Sequence, residues 1–346
     1  MTEKQDIRLL AIEDLIVFFK NNNIASFRAK QVHEWLWKKR VVNFEEMTSL
    51  SISDRHLLQE YFTINNVEIH KVEQSRDKTI KYSLKLHDNK LVEGVIIPSR
   101  KRLTACISSQ AGCSLACTFC ATGTLKLERN LNFSEIYDQV YILNEQAKLK
   151  FGKPLSNIVY MGMGEPLLNY ENLIKSIDLI TNDRGLGMSP KRITVSTAGI
   201  AKMIKKLADD KVKFNLALSL HTADNEKRNN IMPINESIDL TKLEEAIKYF
   251  YDKTGTRVTY EYILFDGVND TLEDANQLVN FCKKAPCKVN LIEYNQVDGF
   301  PFKKSSNKKT NNFIEYLEER NVIVNLRKSK GKDINAACGQ LVNKLK

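Results

Sequence analysis

Thr104-Ala105-Cys106-Ile107-Ser108-Ser109-Gln110-Ala111-Gly112-Cys113-Ser114-Leu115-Ala116-Cys117-Thr118-Phe119-Cys120 runs from a short strand-like segment into a loop with three cysteines spaced C-x-x-x-C-x-x-C. Downstream of it the chain alternates. Strand-like runs recur at 157–161, 192–196, 214–220, 257–264 and 288–294, with 104–108 as the first. Helical periodicity fills the intervals near 134–149, 170–181, 200–208, 241–253 and 272–283. Such alternation predicts a parallel sheet with crossover helices. Six strands fit a barrel better than a dinucleotide fold, because no G-x-G-x-x-G follows the first strand. The expected fold class is therefore α/β, a partial (β/α)6 barrel spanning 101–330. In such sheets the chemistry collects at the C-terminal ends of the strands, and the cysteine loop starts at one of them.

Upstream, residues 1–65 read as a small helical domain. Leu15, Phe18 and Phe19 share helical spacing, as do Ala29, Val32, Trp35 and Leu36, and then Leu57, Leu58, Tyr61 and Phe62. Ser26 is the expected cap of the second helix, and Ser51 or Ser53 that of the third. Residues 66–100 hold strand-like runs at 67–72, 79–86 and 91–97, the last two joined by an Asp88-Asn89 turn, a β-hairpin extension leading to the barrel. Residues 331–346 form a C-terminal loop.

The chain has 346 residues, 42% apolar and 27% charged, which excludes predominant disorder. No run approaches the roughly 18 apolar residues of a membrane span, and no signal peptide is visible, so a cytoplasmic location is expected. Lys plus Arg outnumber Asp plus Glu by 52 to 42. A basic balance of this kind suits a polyanion such as nucleic acid. Seven cysteines in a reducing compartment point to metal or catalysis rather than a disulfide framework.

Three thiolates on one loop can hold an inorganic centre in two ways. Zinc requires a fourth protein ligand and commonly uses paired C-x-x-C knuckles, of which no second copy exists here. A 4Fe–4S cluster held by only three cysteines keeps one iron open to the amino and carboxylate groups of S-adenosylmethionine. The strand–loop context and Phe119 favour the second. Other strand ends carry matching polar groups: Gly162-Met163-Gly164-Glu165, Ser196-Thr197, Ser219-Leu220-His221 and Tyr294-Asn295. Cys282 and Cys287 carry no functional reading.

With Phe27-Arg28-Ala29-Lys30-Gln31, Val92-Glu93-Gly94-Val95, Met161-Gly162-Met163-Gly164-Glu165-Pro166, Met232-Pro233-Ile234-Asn235 and Ala336-Ala337-Cys338-Gly339-Gln340, the chain resembles the radical S-adenosylmethionine family that methylates RNA adenines. Within it, the likeness is to the bacterial branch acting on adenine carbon 2 of 23S rRNA and tRNA. The resemblance implies cluster ligands Cys113, Cys117 and Cys120. It implies an S-adenosylmethionine site of Gly164, Glu165, Ser196, Ser219, Leu220, His221 and Asn295. Cys338 becomes the methyl carrier, Cys106 its redox partner and Glu93 a candidate proton acceptor. The implied partners are 23S rRNA, tRNA and an electron donor such as flavodoxin, with the protein a monomer and no membrane involved.

Carbon 2 of adenine is electron-poor and will not attack a sulfonium methyl. The family's answer is to methylate the Cys338 thiolate first, then convert that methyl into a carbon radical that adds to the base. Candidate phosphate contacts are Arg28, Lys30, Lys38, Lys39 and Arg40, then Arg100, Lys101 and Arg102, then Lys303, Lys304, Lys308 and Lys309, and finally Arg327, Lys328 and Lys330. Trp35 and Trp37 read as helix core. Two other functions compete: a carbon-8 adenine methyltransferase of the antibiotic-resistance type, and a non-catalytic zinc-stabilised RNA-binding protein.

Overall fold

The computed structural model describes residues 4–342; residues 1–3 and 343–346, at the ends of the expected 1–65 and 331–346 segments, lie outside them. Three helices come first, α1 (Ile12–Asn21), α2 (Arg28–Trp37) and α3 (Ile52–Tyr61). Their apolar faces meet through Leu15 and Phe19, through Ala29, Val32, Leu36 and Trp37, and through Leu58, all buried. Ser51 caps α3, its hydroxyl accepting from the Asp54 amide at 3.0 Å. Ser26 does not cap α2. Phe27 holds that position without a side-chain bond, and the Ala29 amide turns back to the Ser26 carbonyl instead.

The rest of the chain builds one ten-stranded sheet. Its strands are β1 (Glu68–Gln74), β2 (Ile80–Lys85), β3 (Leu91–Pro98), β4 (Leu103–Cys106), β5 (Asn157–Tyr160), β6 (Ile193–Thr197), β7 (Asn215–Ser219), β8 (Val258–Leu264), β9 (Cys287–Glu293) and β10 (Val324–Arg327). They lie side by side in sequence order. The first four pair antiparallel, and β4 through β10 pair parallel. Parallel neighbours need crossovers. These are α4 (Phe133–Phe151), α5 (Tyr170–Thr181), α6 (Ala201–Asp209), α7 (Asn225–Ile231) with α8 (Leu240–Thr254), α9 (Leu272–Cys282) and α10 (Asn307–Glu318). The six barrel strands read from the sequence are all present. β10 adds a seventh, and the residues before β4 form a three-stranded meander continuous with the barrel.

Covered on both faces, the central strands are largely buried, as in β8 where all seven residues are, Thr259 and Glu261 included. The helical domain docks on α4. Trp37 packs against Phe133 and Tyr137, whose hydroxyl donates to the Trp37 carbonyl at 2.6 Å. Asp138, fully buried, accepts from Arg8 and Arg40, both at 2.9 Å, and from the Val67 amide at 3.1 Å. One carboxylate therefore fixes the N-terminal domain to the barrel.

The sheet does not close; β1 and β10 are its two edges. The segment after β10 returns across the gap. The Gly331 amide donates to Asp77 Oδ2 at 3.0 Å, the Ser75 hydroxyl to Asp333 Oδ1 at 2.6 Å, and the Val342 amide to Glu93 Oε2 at 2.9 Å. No helix among the described residues is long and apolar enough to cross a membrane.

Candidate active site

Cys106 ends β4, buried, and desolvation pushes its thiol up to about 12. The loop beyond it is pinned on both sides. The Ser109 and Gln110 amides donate to the Met163 carbonyl, and the Thr118 amide to that of Ile231. Phe119 anchors the loop's tip in an apolar pocket, its ring edge-on to His221 at 4.8 Å and 5.4 Å from Phe265. On either side of that anchor, Cys113, Cys117 and Cys120 open into one cavity of about 160 Å³. All three thiols are free and raised, mainly by burial, Cys113 to about 11. Charge on Cys117 is further opposed by Cys120 and Cys113.

Three thiolates crowded into an apolar mouth need a cationic centre between them. Zinc wants a fourth protein ligand, whereas a 4Fe–4S cluster can be held by three cysteines. Three thiols on one loop, opening into one cavity, suit a multi-iron cluster by the chemistry of their donors.

The same cavity is lined by Gly164, Glu165, Ser196, Ser219 and His221, the expected S-adenosylmethionine residues. Gly164 sits at φ +93°, and a Cβ there would lie 2.4 Å from the Gln110 side chain, so only glycine fits. Ser196 and Ser219 hydroxyls meet at 3.3 Å. Burial raises Glu165 to about 7. Its two oxygens accept from the Leu167 amide at 3.0 Å and the Ala198 amide at 2.7 Å, so the carboxylate also joins the loops after β5 and β6. His221 adopts φ +59°; its Nδ1 accepts from the Ile263 amide at 3.2 Å, and burial lowers the ring to about 3. It is therefore a neutral imidazole. Leu220 is placed differently: its side chain joins the main core rather than the cavity. Asn295 stands beside the cavity, donating to the Cys338 carbonyl at 3.5 Å, while its Oδ1 is buried without a hydrogen-bond partner. A buried acceptor left open calls for a donor such as an ammonium or hydroxyl. The chemistry of these residues fits S-adenosylmethionine.

Cys338 is exposed, and it lines two cavities at once. One is the cysteine-loop cavity. The other, about 70 Å³, contains Cys106 with Ile97, Arg327, Lys328 and Lys330. Met161 and Ile292 line both as well and complete the partition. The residue is open to solvent, but desolvation of its sulfur between the two cavities raises the thiol, a rise the Arg327 guanidinium opposes. Glu93 lines neither cavity. It is buried between Lys81 Nζ at 3.3 Å and the Val342 amide, and desolvation raises it.

Several cations read as phosphate contacts are paired inside the protein. Arg40 bonds to Asp138, Arg28 to Gln31 and the Ser49 carbonyl, Arg327 to Glu261 at 3.4 Å, Lys304 to Glu293, Lys309 to Asp266 and Asp270, and Lys330 lies 3.9 Å from Asp77. Lys30, Arg100, Lys101, Arg102, Lys308 and Lys328 are exposed and form no ion pair among the described residues, while exposed Lys303 lies close enough to Asp266 to lower its carboxyl. Trp37 is core; Trp35 is half-buried, under Lys39 and donating to Ser49 Oγ. Sequence reading missed Glu261, which lines the cavity beneath Cys338. The available signal was one acid inside the apolar run Val258–Leu264. It also missed Arg228, which stands in a polar run with nothing local to single it out.

A barrel mouth with a three-thiol loop after its first parallel strand defines a radical S-adenosylmethionine enzyme, and residues 107–282 match the Radical SAM superfamily. Residues 6–64 match the ribosomal RNA large subunit methyltransferase N-terminal domain. The chain belongs to the family of dual-specificity RNA methyltransferases called RlmN. It is 54% identical over 342 residues to the probable dual-specificity RNA methyltransferase RlmN of Flavobacterium psychrophilum, covering 99% of each. The corresponding Christiangramia forsetii protein is 54% identical over 341 residues, 99% of this chain and 97% of that one. A radical SAM methyltransferase from Sphaerobacter thermophilus superposes with a TM-score of 0.91 at 34% identity, covering 97% of this chain and 99% of that chain.

Proposed function

We infer that this chain is a radical S-adenosylmethionine RNA methyltransferase that methylates carbon 2 of adenine, with 23S rRNA and tRNA as its substrates. The observation that carries this reading is the place of Cys338, on the partition between the cysteine-loop cavity and the Cys106 cavity. A thiol there reaches a bound cofactor on one side and an incoming base on the other. Full-length similarity to dual-specificity relatives favours carbon 2 over carbon 8.

Cys113, Cys117 and Cys120 would hold the 4Fe–4S cluster, and Gly164, Glu165, Ser196, Ser219, His221 and Asn295 would seat S-adenosylmethionine. Together these groups supply the methyl and the hydrogen-abstracting chemistry that polar catalysis lacks. Cys338 accepts the methyl as its thiolate; desolvation raises its thiol, and the Arg327 guanidinium opposes that rise. Cys106 stands in the cavity the base would enter; as a thiolate it would take the ring proton, and its disulfide with Cys338 would then form as the bond between the Cys338 sulfur and the base-linked methylene breaks, the freed carbon taking that proton to become the methyl group. Glu93 is already engaged by Lys81 and Val342 and holds the C-terminal segment in place. Lys328 and Lys330 line the base cavity, and the Arg100–Arg102 turn follows Ile97 on its wall, which suits a phosphate backbone there. The target adenine leaves its stack to enter. The protein acts in the cytoplasm as a monomer, reduced by a flavodoxin-type donor.

The test is anaerobic incubation of reconstituted protein with S-adenosylmethionine, a one-electron reductant and either RNA, followed by digestion and mass spectrometry. 2-Methyladenosine in both RNAs is expected. 8-Methyladenosine, or no methylated adenosine from iron-loaded protein, would overturn the reading.

A further inference from the structure

Two arginines in the molecule are almost wholly buried, and they are treated oppositely. Arg8 faces carboxylates, with Asp138 at 2.9 Å and Asp6 at 3.8 Å. Arg228, on α7, is 0% exposed and has no carboxylate within ion-pair distance among the described residues. Its neighbour Lys227 takes the nearby acid, Asp274, at 2.6 Å. The Arg228 guanidinium is instead met by neutral acceptors. Nε donates to the Leu220 carbonyl at 3.2 Å, Nη1 to Asn235 Oδ1 at 2.8 Å, and Nη2 to the carbonyls of Ala198 at 2.7 Å and Ser219 at 3.3 Å.

These bonds occupy four of its five N–H groups and leave its charge uncompensated. A buried cation without an anion costs several kcal/mol, and the fold would discard it unless an anion arrives. The helix that carries Arg228 also grips the cysteine loop, its Ile231 carbonyl accepting from the Thr118 amide at 3.0 Å between Cys117 and Cys120, and negative charge on Cys117 would favour the guanidinium. The carbonyls that hold the guanidinium belong to the ends of β6 and β7, so its position is fixed by the walls of the cavity itself. A charge so fixed is preorganised: it does not move when the anion beside it gains an electron.

We propose that Arg228 is the built-in counter-charge of the iron–sulfur cluster, a positioning residue that stabilises the reduced cluster and raises its midpoint potential. The proposal rests on the reading of Cys113, Cys117 and Cys120 as cluster ligands. The reaction affected is a one-electron reduction: the cluster gains one electron from an external low-potential donor, which is oxidised by one electron. One fixed positive charge near the cluster favours the product of that step over its reactant.

The experiment is a dithionite titration of the reconstituted protein followed by electron paramagnetic resonance, with iron counted in each sample. Arg228→Gln keeps hydrogen-bond donors and removes the charge. Arg228→Lys keeps the charge and loses the fork. With full iron content, Arg228→Gln should reduce the ratio of reduced to oxidised cluster at fixed potential about tenfold, equivalent to about 59 mV for a one-electron couple. Arg228→Lys should stay within threefold of the wild type. Equal midpoints in wild type and Arg228→Gln would overturn the proposal. So would a tenfold loss in iron-loaded Arg228→Lys, because geometry rather than charge would then set the potential. If Arg228→Gln cannot hold iron, the lysine protein decides by the same criterion. If neither variant holds iron while the wild type does, the residue is structural and the proposal fails. Wild-type protein that binds no iron would instead sink the cluster reading itself.

Discussion

The amide of Ala121, one residue beyond the last cysteine of the loop, donates to the carbonyl of Gly339, one residue beyond Cys338, at 2.7 Å. The neighbouring Thr122 hydroxyl donates to the Leu341 carbonyl at 2.6 Å. The loop that would hold iron and the segment that carries the methyl-accepting thiol are thus bonded backbone to backbone. Removing the second bond by Thr122→Val should cost about 0.5–1.5 kcal/mol. It should also raise deuterium uptake over residues 331–342. Methyl transfer is expected to fall while iron content stays constant. Unchanged exchange over that segment would show the bond to be idle.

Cys338→Ala should abolish RNA methylation and leave cluster spectra unaltered, because the thiol lines the cavity without belonging to the three-cysteine loop. Cys106→Ala should instead trap a protein–RNA adduct, visible as a shifted band on a denaturing gel. Normal turnover by either variant contradicts the assigned role.

Acid should destabilise the cluster-free protein partly through His221. Its ring titrates near 3 in the folded chain against an ordinary 6.5, so the unfolded state binds more protons between those values. The stability it contributes is present above pH 6.5 and lost as pH falls toward 3. Glu165 acts with the opposite sign. Raised to about 7 from 4.5, it stabilises the fold below 4.5, and that contribution is lost as pH rises to 7. Thermal melts across pH should therefore be flatter on the acid side for His221→Gln, and flatter between 4.5 and 7 for Glu165→Gln. Curves parallel to wild type would contradict the burial argument.

Asp138→Asn should undock the helical domain. The carboxylate answers two arginines and an amide, and breaking a buried pair typically costs about 3–5 kcal/mol. Limited proteolysis should then cut between α3 and β1 while the barrel stays intact. A variant as resistant as the wild type would mean that Trp37 and Tyr137 suffice to hold the interface.

What the sequence made legible was local. The cysteine loop, each strand end and each strand or helix of the alternation is read from its own short window, where periodicity and spacing speak directly. β10 was hidden because an edge strand with exposed Asn325 and Leu326 has neither an apolar run nor clean alternation. α10 was hidden by its polar opening, Asn307-Lys308-Lys309-Thr310-Asn311-Asn312. Long-range partners were invisible in principle. Arg40 finds Asp138 across 98 positions and Arg327 finds Glu261 across 66, so both read as solvated cations until the fold joined them. Glu93 was singled out, yet its bond to Val342, 249 residues away, could not be foreseen.

The barrel's two edge strands are bridged by carboxylates gripping a returning tail, with no strand ladder between them. Such a seam parts without rupturing the sheet. Losing those few side-chain bonds would loosen the tail and leave the ladders of the ten strands intact.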